Sequence, residues 1–123
     1  MSGEIVNLML TLRNQVKIYH WETMKYARHK STDDLVDKLD DSIDKFVEVY
    51  IGKYDRPKLT PRTGTIRLRN YDDVQAPALL TEAITWMTNR LPTLLSKNDT
   101  DLLNIRDEIL AELNQTLYLF TLQ

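Results

Sequence analysis

The sequence predicts an all-α protein folded as a four-helix bundle with one long crossover connection between its second and third helices. Apolar residues recur every three or four positions along four stretches, which is the spacing of a helix face. The chain has only three Gly and four Pro, a composition that favours helix over sheet. Its 123 residues fit one domain, residues 1–123, with a single core.

The first helix is predicted to begin with Ser2 as its N-cap and Glu4 in its first turn, at the positive end of the helix dipole. Its apolar stripe is Ile5, Met9, Leu12 and Val16, and His20 and Met24 continue the same spacing. His20 therefore faces the core or an interface. It is either a hydrogen-bonded buried histidine or a metal ligand, and its position alone favours the first.

The second helix is predicted to be capped by Ser31 or Thr32 and to end near Gly52, in the position that follows a C-cap. Its core stripe is Leu35, Leu39, Ile43, Phe46, Val47 and Tyr50. Because only a few residues connect the first two helices, they must be antiparallel neighbours.

Residues 53–76 break the helical pattern, with Pro57, Pro61 and Gly64 among them. The segment Thr65–Arg69 alternates briefly, like a short strand or an extended stretch. A connection of roughly 23 residues is longer than adjacent antiparallel helices need. It is long enough to run the ~35 Å length of a bundle, so that the third helix lies parallel to the second.

The third helix is predicted to begin near Pro77 and to kink or end at Pro92, whose ring clashes with a carbonyl of the preceding turn. Asn98 and Asp99 are predicted to cap the fourth helix. Trp86, Tyr118 and the methionines are interpreted as packing groups. The buried faces are Leu80, Ile84, Met87, Leu91, Leu94 and Leu95 on the third helix, and Leu102, Ile105, Ile109, Leu113, Thr116, Leu117 and Phe120 on the fourth.

Composition narrows the functional classes. The net charge of −2 gives no overall attraction to nucleic acid or to an anionic membrane. With no Cys there is neither a disulfide framework nor a thiolate metal site, as expected of a cytoplasmic protein. The start MSGEIVNLML lacks the basic residues of a signal peptide, and no apolar run reaches membrane length. We therefore expect a soluble protein that is not exported.

Four potential metal ligands lie at helical spacing in the second helix. His29 and Asp33 are four residues apart, and so are Asp44 and Glu48, so each pair shares one helix face. Both pairs lie on one stripe, but the distance between them is roughly 16 Å. One helix therefore cannot close a site. A second, antiparallel copy could, through a twofold axis near residues 38–39, giving an isologous dimer with two shared sites.

A solvated face is the alternative interpretation of this stripe, because residues 33–48 carry seven acids against two lysines. The acids Asp37 and Asp40 lie on the same stripe near the proposed axis, where like charges repel unless cations or Lys38 offset them. Dimerisation would then depend on metal. A di-iron centre inside the bundle is excluded, because it needs Glu-x-x-His on two helices and neither of the two histidines follows a Glu at that spacing.

These residues resemble those of Dps, the DNA-protecting mini-ferritins of the ferritin-like superfamily. The family carries an HW dipeptide late in its first helix, here His20-Trp21, then His29 with Asp33, and further on Asp44 with Glu48. The resemblance covers about the first 50 residues well and the last 25 loosely. One departure is that the interval from His20 to His29 is three residues shorter than in the family.

The resemblance implies a ferritin-like bundle in which Fe(II) binds between subunits, at His20, His29 and Asp33 of one chain facing Asp44 and Glu48 of its neighbour. The bound iron would be oxidised by peroxide or oxygen for storage or detoxification, in a homo-oligomer such as a dodecameric shell. The ligand types alone suit iron, manganese or zinc equally. Iron is what the resemblance adds.

Two further hypotheses stay open. The stretch from His29 to Glu48 also resembles small uncharacterised proteins of large DNA viruses and phages, so a non-enzymatic bundle acting through protein contacts is one alternative. The other is weak DNA binding by residues 53–69, which carry six basic residues against Asp55 and are flanked by Tyr54 and Tyr71. A solvated loop is the favoured interpretation of that segment, since Dps-like proteins usually owe DNA binding to basic tails, which this chain lacks. The six are Lys53, Arg56, Lys58, Arg62, Arg67 and Arg69.

Overall fold

The computed structural model describes residues 2–122, apart from the side chain of Ser2, on which the predicted first cap depends. Four α-helices are present in this part of the chain, with no strand: α1 (Ser2–Glu22), α2 (Tyr26–Lys53), α3 (Ala76–Thr85) and α4 (Thr100–Leu119). The predicted all-α class is confirmed. Within the same residues, no helix is both long and apolar enough to cross a membrane.

The helices form a square in which α1 and α4 each pack against α2 and α3. Arg90, five residues after the end of α3, pairs with Glu4 at the start of α1 at 2.9 Å. Lys53, at the end of α2, pairs with Asp99 just before α4 at 2.9 Å. Neighbouring helices are therefore antiparallel, and α2 and α3 run parallel to each other across the diagonal.

The connection from residue 54 to residue 75 lies along α1 in the same direction. The side-chain amide of Asn7 donates to the carbonyl of Thr63 at 2.7 Å, and that of Gln15 donates to the carbonyl of Arg69 at 2.8 Å. Near the end of α1 the Tyr19 hydroxyl donates to Asp73 at 2.7 Å. This crossover therefore runs along most of α1. The middle of the crossover is extended. Its backbone is bound by the side-chain amides of Asn7 and Gln15 and not by a neighbouring strand.

The predicted core stripes are largely confirmed. Residues with almost no exposed area come from all four helices. Two residues predicted to be buried are instead exposed: Met24, at 91%, lies beyond the end of α1 in the turn, and Tyr118, at 62%, lies on the outer face of α4. The buried centre includes Met9, Val16, Leu39, Phe46, Leu80, Met87, Leu91, Ile109 and Leu113.

The start of α2 differs from the prediction. The helix begins at Tyr26, nearly two turns earlier than expected, so Ser31 and Thr32 lie inside it. Their hydroxyls donate to the carbonyl of Arg28 at 3.2 and 2.6 Å and cap nothing. At the other end α2 continues through Gly52 to Lys53, so Gly52 does not follow a C-cap, and no residue in the described chain has a positive φ.

The α-helical part of the third helix ends at Thr85, seven residues before Pro92, at which the sequence had predicted a kink or an end. After α3 the chain forms a π-helical turn, Trp86–Arg90, and a short 3₁₀ helix, Leu91–Leu94. In the π register the carbonyl of Met87 would accept from residue 92, but proline has no N–H. The guanidinium of Arg106 from α4 donates to this carbonyl instead, at 3.0 Å.

The cap of α4 is confirmed in position only. Asp99 occupies the N-cap, but its carboxylate accepts no hydrogen bond from a helix amide. It accepts from the backbone N–H of Ser96 at 2.8 Å, from Lys53 and from the hydroxyl of Tyr54. These bonds, with the Tyr54 bond as the largest single cause, hold the pKa of Asp99 below its ordinary value.

Candidate functional site

The turn between α1 and α2 places His20 against His29. Their imidazole rings stack with centroids 3.9 Å apart and planes 18° from parallel. The Nδ1 atom of His20 lies 2.7 Å from the carbonyl oxygen of His29, and the Nδ1 atom of His29 lies 2.9 Å from the carbonyl oxygen of His20. Carbonyls only accept, so both Nδ1 atoms carry a proton. In the neutral ring, Nε2 then keeps the lone pair.

His20 is also a buried residue with hydrogen bonds, only 6% exposed, as the simpler interpretation of its position requires. Besides the carbonyl of His29, its Nδ1 atom lies 3.2 Å from the hydroxyl of Thr32. Although the interval from His20 to His29 is three residues shorter than in Dps, the two rings are in contact. We call His20 and His29 the histidine pair.

A polar cluster holds this turn in place. The carboxylate of Asp73, at the end of the crossover, accepts from Tyr19 at 2.7 Å, from Thr23 at 2.5 Å and from the backbone N–H of Met24 at 3.2 Å. Burial raises the pKa of Asp73, but the hydrogen bonds from Thr23 and Tyr19 outweigh it, so the pKa lies below its ordinary value. The ends of α1 and of the crossover are thereby tied together next to the histidine pair.

Arg28 extends this cluster into the bundle and was not singled out by the sequence. It is 7% exposed, donates to the Tyr19 hydroxyl at 2.9 Å and to the Asp73 carbonyl at 2.5 Å, and lies 4.6 Å from the centre of the Phe120 ring. Its position, seven residues before Leu35, continues the core stripe of α2, but the helix was predicted to begin only after it. The cluster fixes the position of the first turn of α2, which carries His29.

Asp44 and Glu48, which we call the acid pair, lie side by side on the exposed surface of α2. A hydrogen bond between them, together with the charge of Asp44, raises the pKa of Glu48. Two carboxylates this close repel each other, and a bound cation would relieve that repulsion. Asp33 is exposed as well, one helical turn after His29.

The histidine pair and the acid pair stay apart within one chain. His29 and Asp44 are separated by fifteen residues of continuous helix, which is roughly 22 Å. Within residues 2–122, no group of three or more His, Asp or Glu side chains is close enough to hold a metal ion. The structure therefore brings His20 to His29 and Asp44 to Glu48, but it does not join these two groups or add Asp33 to either.

The middle of the acidic stripe is partly neutralised from α1. Arg13 pairs with Asp40 at 2.8 Å, whereas Lys38 turns away towards α4 and donates to Gln115 at 3.3 Å. The cation that offsets an acid near the predicted twofold axis is thus Arg13, and the sequence had suggested Lys38 for this role. Since both Arg13 and Asp40 are partly exposed, the pair itself adds little stability.

Large apolar side chains surround the histidine pair at the surface. Trp21 is 67% exposed and Tyr26 is 75% exposed, and both lie close to Met24 in the chain. The ring of Tyr26 is 6.5 Å from that of His29, and the ammonium of Lys17 lies 5.4 Å from the centre of the Trp21 ring. These residues leave an apolar rim beside the imidazoles.

The basic residues of the crossover do not form one uniform patch. Lys53 is neutralised by Asp99 and Asp101, at 2.9 and 2.6 Å. Arg69 lies 4.7 Å from the centre of the Tyr71 ring. Arg67 and Arg69 both line a groove beside α1.

Fold and surface together define a small all-α bundle protein with an acidic helix face and a buried, hydrogen-bonded histidine next to an exposed apolar rim. Residues 20–120 match the model of a family of unknown function, DUF5856, and the chain belongs to that family.

A curated relative is an uncharacterized 14.6 kDa protein in the mobD-ri intergenic region of Enterobacteria phage T4. It is 40% identical over 60 residues, which are 49% of this chain and 46% of the phage protein. The chain thus spans about half the length of this relative. No solved structure matches the chain.

Proposed function

We propose that this protein is a Dps-like mini-ferritin that binds Fe(II) at two equivalent sites, each shared between the two chains of an isologous dimer. The observation that carries the proposal is a pair of half-sites: the histidine pair, formed by the end of α1 and the start of α2, and the acid pair towards the end of α2. Each half-site supplies part of the ligand set of one ion. The α2 helix of an antiparallel partner chain would bring the two kinds of half-site together.

The topology supports the proposal. Two antiparallel helical hairpins, α1 with α2 and α3 with α4, are joined by one crossover that runs the length of the bundle. This is the arrangement of ferritin-like bundles with a single long connection.

The hydrogen bonds of the histidine pair fit metal binding. Imidazoles that bind metals commonly donate their other N–H to a carbonyl or carboxylate, which fixes the tautomer and makes the free nitrogen more basic. Both histidines donate from Nδ1 to a carbonyl, so Nε2 of each is the nitrogen for an ion. Imidazole and carboxylate ligands also suit zinc and manganese, which would compete with iron.

In the proposed dimer, His20, His29 and Asp33 of one chain face Asp44 and Glu48 of the other. The imidazoles would hold Fe(II), and the carboxylates would stabilise the Fe(III) that forms. Peroxide or dioxygen from solution takes up the electrons, and the oxidised iron passes to the interior of a larger shell, for which a dodecamer is the proposed size.

The site can be tested by native mass and metal analysis of the purified protein, before and after addition of Fe(II) or Zn(II). We expect a dimer or larger assembly with metal bound, and loss of both when Asp44→Asn and Glu48→Gln are combined. A matched control combines Asp34→Asn with Glu108→Gln, which neutralises two exposed acids outside the acidic stripe. A monomer without metal under every condition would reject the shared site.

A mixing experiment separates a shared site from one within a chain. His29→Ala and Glu48→Gln each damage both sites of their own homodimer. In a mixed dimer, one site carries both defects and the other carries none. Random exchange of chains therefore restores about a quarter of the wild-type sites. A site within one chain would show no recovery.

A bundle that acts only through protein contacts is the competing function. In that case His29→Ala combined with Glu48→Ala leaves both the assembly and the oxidation of added Fe(II) as they are in the wild type. The rate of Fe(III) formation, followed by absorbance, distinguishes the two functions directly.

A further inference from the structure

A groove runs along the side of α1 that faces away from α2, between α1, the crossover and the third helix. Its basic end has a volume of about 420 Å³ and is lined by Asn7, Thr11, Pro61, Arg62, Thr65 and Arg67. Its apolar end, of about 270 Å³, includes Leu8, Leu12, Tyr71, Leu79 and Trp86. Thr11 and Arg67 line both ends, so the two form one continuous groove, which we call the arginine groove.

The wall of the arginine groove is held in place by α1. Asn7 donates to the carbonyls of Thr63 and Thr65, at 2.7 and 2.8 Å. Gln15 both donates to the carbonyl of Arg69 and accepts from its N–H, at 2.8 and 2.6 Å. The segment between these anchors is extended, so Arg67 and Arg69 point to the same side of it. Both line the groove.

Two arginines of the groove form no ion pair within the described residues. Within residues 2–122, the guanidinium groups of Arg62 and Arg67 have no hydrogen-bond or ion-pair partner. Arg62 exerts only a longer-range attraction on Glu4, whose carboxylate is held by Arg90. The basic end therefore presents two guanidinium groups, whose fork geometry suits phosphate oxygens.

The apolar end offers a different surface within the same groove. Trp86 is partly buried and lines it, and the guanidinium plane of Arg69 lies over Tyr71. Aromatic rings and guanidinium planes are the surfaces on which nucleobases stack. One carboxylate, from Glu82, also lines this end. A phosphate at one end and a planar ring at the other are the two parts of a nucleotide.

We propose that the arginine groove binds a nucleotide, with its phosphate on Arg62 and Arg67 and its base against Trp86 and Arg69. The nucleotide is either free or one unit of a single-stranded nucleic acid, because both present the same chemistry. The groove and the proposed iron site share no residue, so either assignment can fail without the other.

Binding can be followed by tryptophan fluorescence. The chain has two tryptophans, and Trp21 lies outside the groove, so the variant Trp21→Phe leaves Trp86 as the single reporter. In this background we would titrate adenosine monophosphate, adenosine, inorganic phosphate and a short single-stranded oligodeoxythymidine. We expect saturable changes with adenosine monophosphate or the oligonucleotide, and affinity that falls with added salt.

The matched variants are Arg67→Gln, in the groove, and Arg56→Gln, in the same crossover but outside it. Loss of a charged hydrogen-bond donor should weaken nucleotide binding roughly tenfold or more in Arg67→Gln. Arg56→Gln makes the same charge change and should leave the affinity within about twofold. Far-UV circular dichroism of each variant confirms that it is folded.

Each outcome decides the assignment. Tighter binding of the oligonucleotide than of the free nucleotide identifies a nucleic-acid strand as the ligand, and the opposite order identifies the free nucleotide. Inorganic phosphate that binds as tightly as adenosine monophosphate would overturn the proposal, because the base would then contribute nothing. So would equal weakening by Arg56→Gln and Arg67→Gln, or no saturable signal with any nucleotide.

Discussion

Replacing Asp73 with alanine removes the acceptor at which α1, the turn and the crossover meet. Three hydrogen bonds end on this carboxylate, from Tyr19, Thr23 and the backbone of Met24. A hydrogen bond to a charged group contributes about 1.5 kcal/mol at the low end of its range. Because water can reach part of the carboxylate, the three bonds together contribute less than three times this value. We therefore expect Asp73→Ala to lower the free energy of unfolding by about 3 kcal/mol.

Asp73→Asn separates the charge from the shape of the side chain. The amide keeps one acceptor oxygen for Tyr19 and Thr23 but cannot accept from Met24 with its nitrogen. We expect a loss of about 1.5 kcal/mol at neutral pH, measured as the shift in the urea midpoint at an unchanged slope. Asp34→Asn, on an exposed side chain of α2, is the control and should change the midpoint little.

The effect of Asp73→Asn depends on pH in a defined direction. The pKa of Asp73 is lower in the folded chain than its ordinary value of 3.8. Its charge therefore stabilises the fold fully above 3.8, and this stabilisation disappears as the pH falls through the lower, folded pKa. The stability difference between wild type and Asp73→Asn should shrink in the same acidic range. A difference that is unchanged in acid, or a neutral-pH loss no larger than that of Asp34→Asn, would refute the role of this carboxylate.

Two further predictions concern the third helix and the acid pair. Arg106→Met leaves the carbonyl of Met87 without its hydrogen-bond donor. The free energy of unfolding, measured in urea, should fall by about 1–2 kcal/mol. A change near zero would show that water replaces the guanidinium. Asp44→Asn removes the main cause of the raised pKa of Glu48, so the Glu48 carboxyl resonance should titrate closer to its ordinary value of 4.5. An unchanged NMR titration curve would contradict the contact between the two side chains.

Apolar spacing was sufficient to predict the helices, because the stripes through residues such as Met9, Leu39 and Ile109 are local patterns. The start of α2 was not predictable in the same way. The N–H of Met24 is satisfied by Asp73, which lies forty-nine residues later in the chain. Sequence rules for caps look for a serine or threonine nearby, and so they selected Ser31 and Thr32.

The candidate site, too, could be predicted only where it depends on local spacing. Helical spacing predicted that Asp44 and Glu48 would be neighbours, and the pKa of Glu48 reflects their contact. The stacking of His20 on His29 depends on the exact path of a short turn, which spacing does not fix. Whether the two half-sites meet depends on a second chain, so no pattern within one helix determines it.

The crossover has a consequence for the order of assembly during synthesis. One flank of α1 is covered only by residues that are made some fifty positions after it, such as Thr63 and Asp73. A hairpin of α1 and α2 that has just been synthesised therefore lacks the crossover, and Asn7 and Gln15 remain solvated until the crossover follows. Of the four helices, the one that is made first thus completes its contacts late.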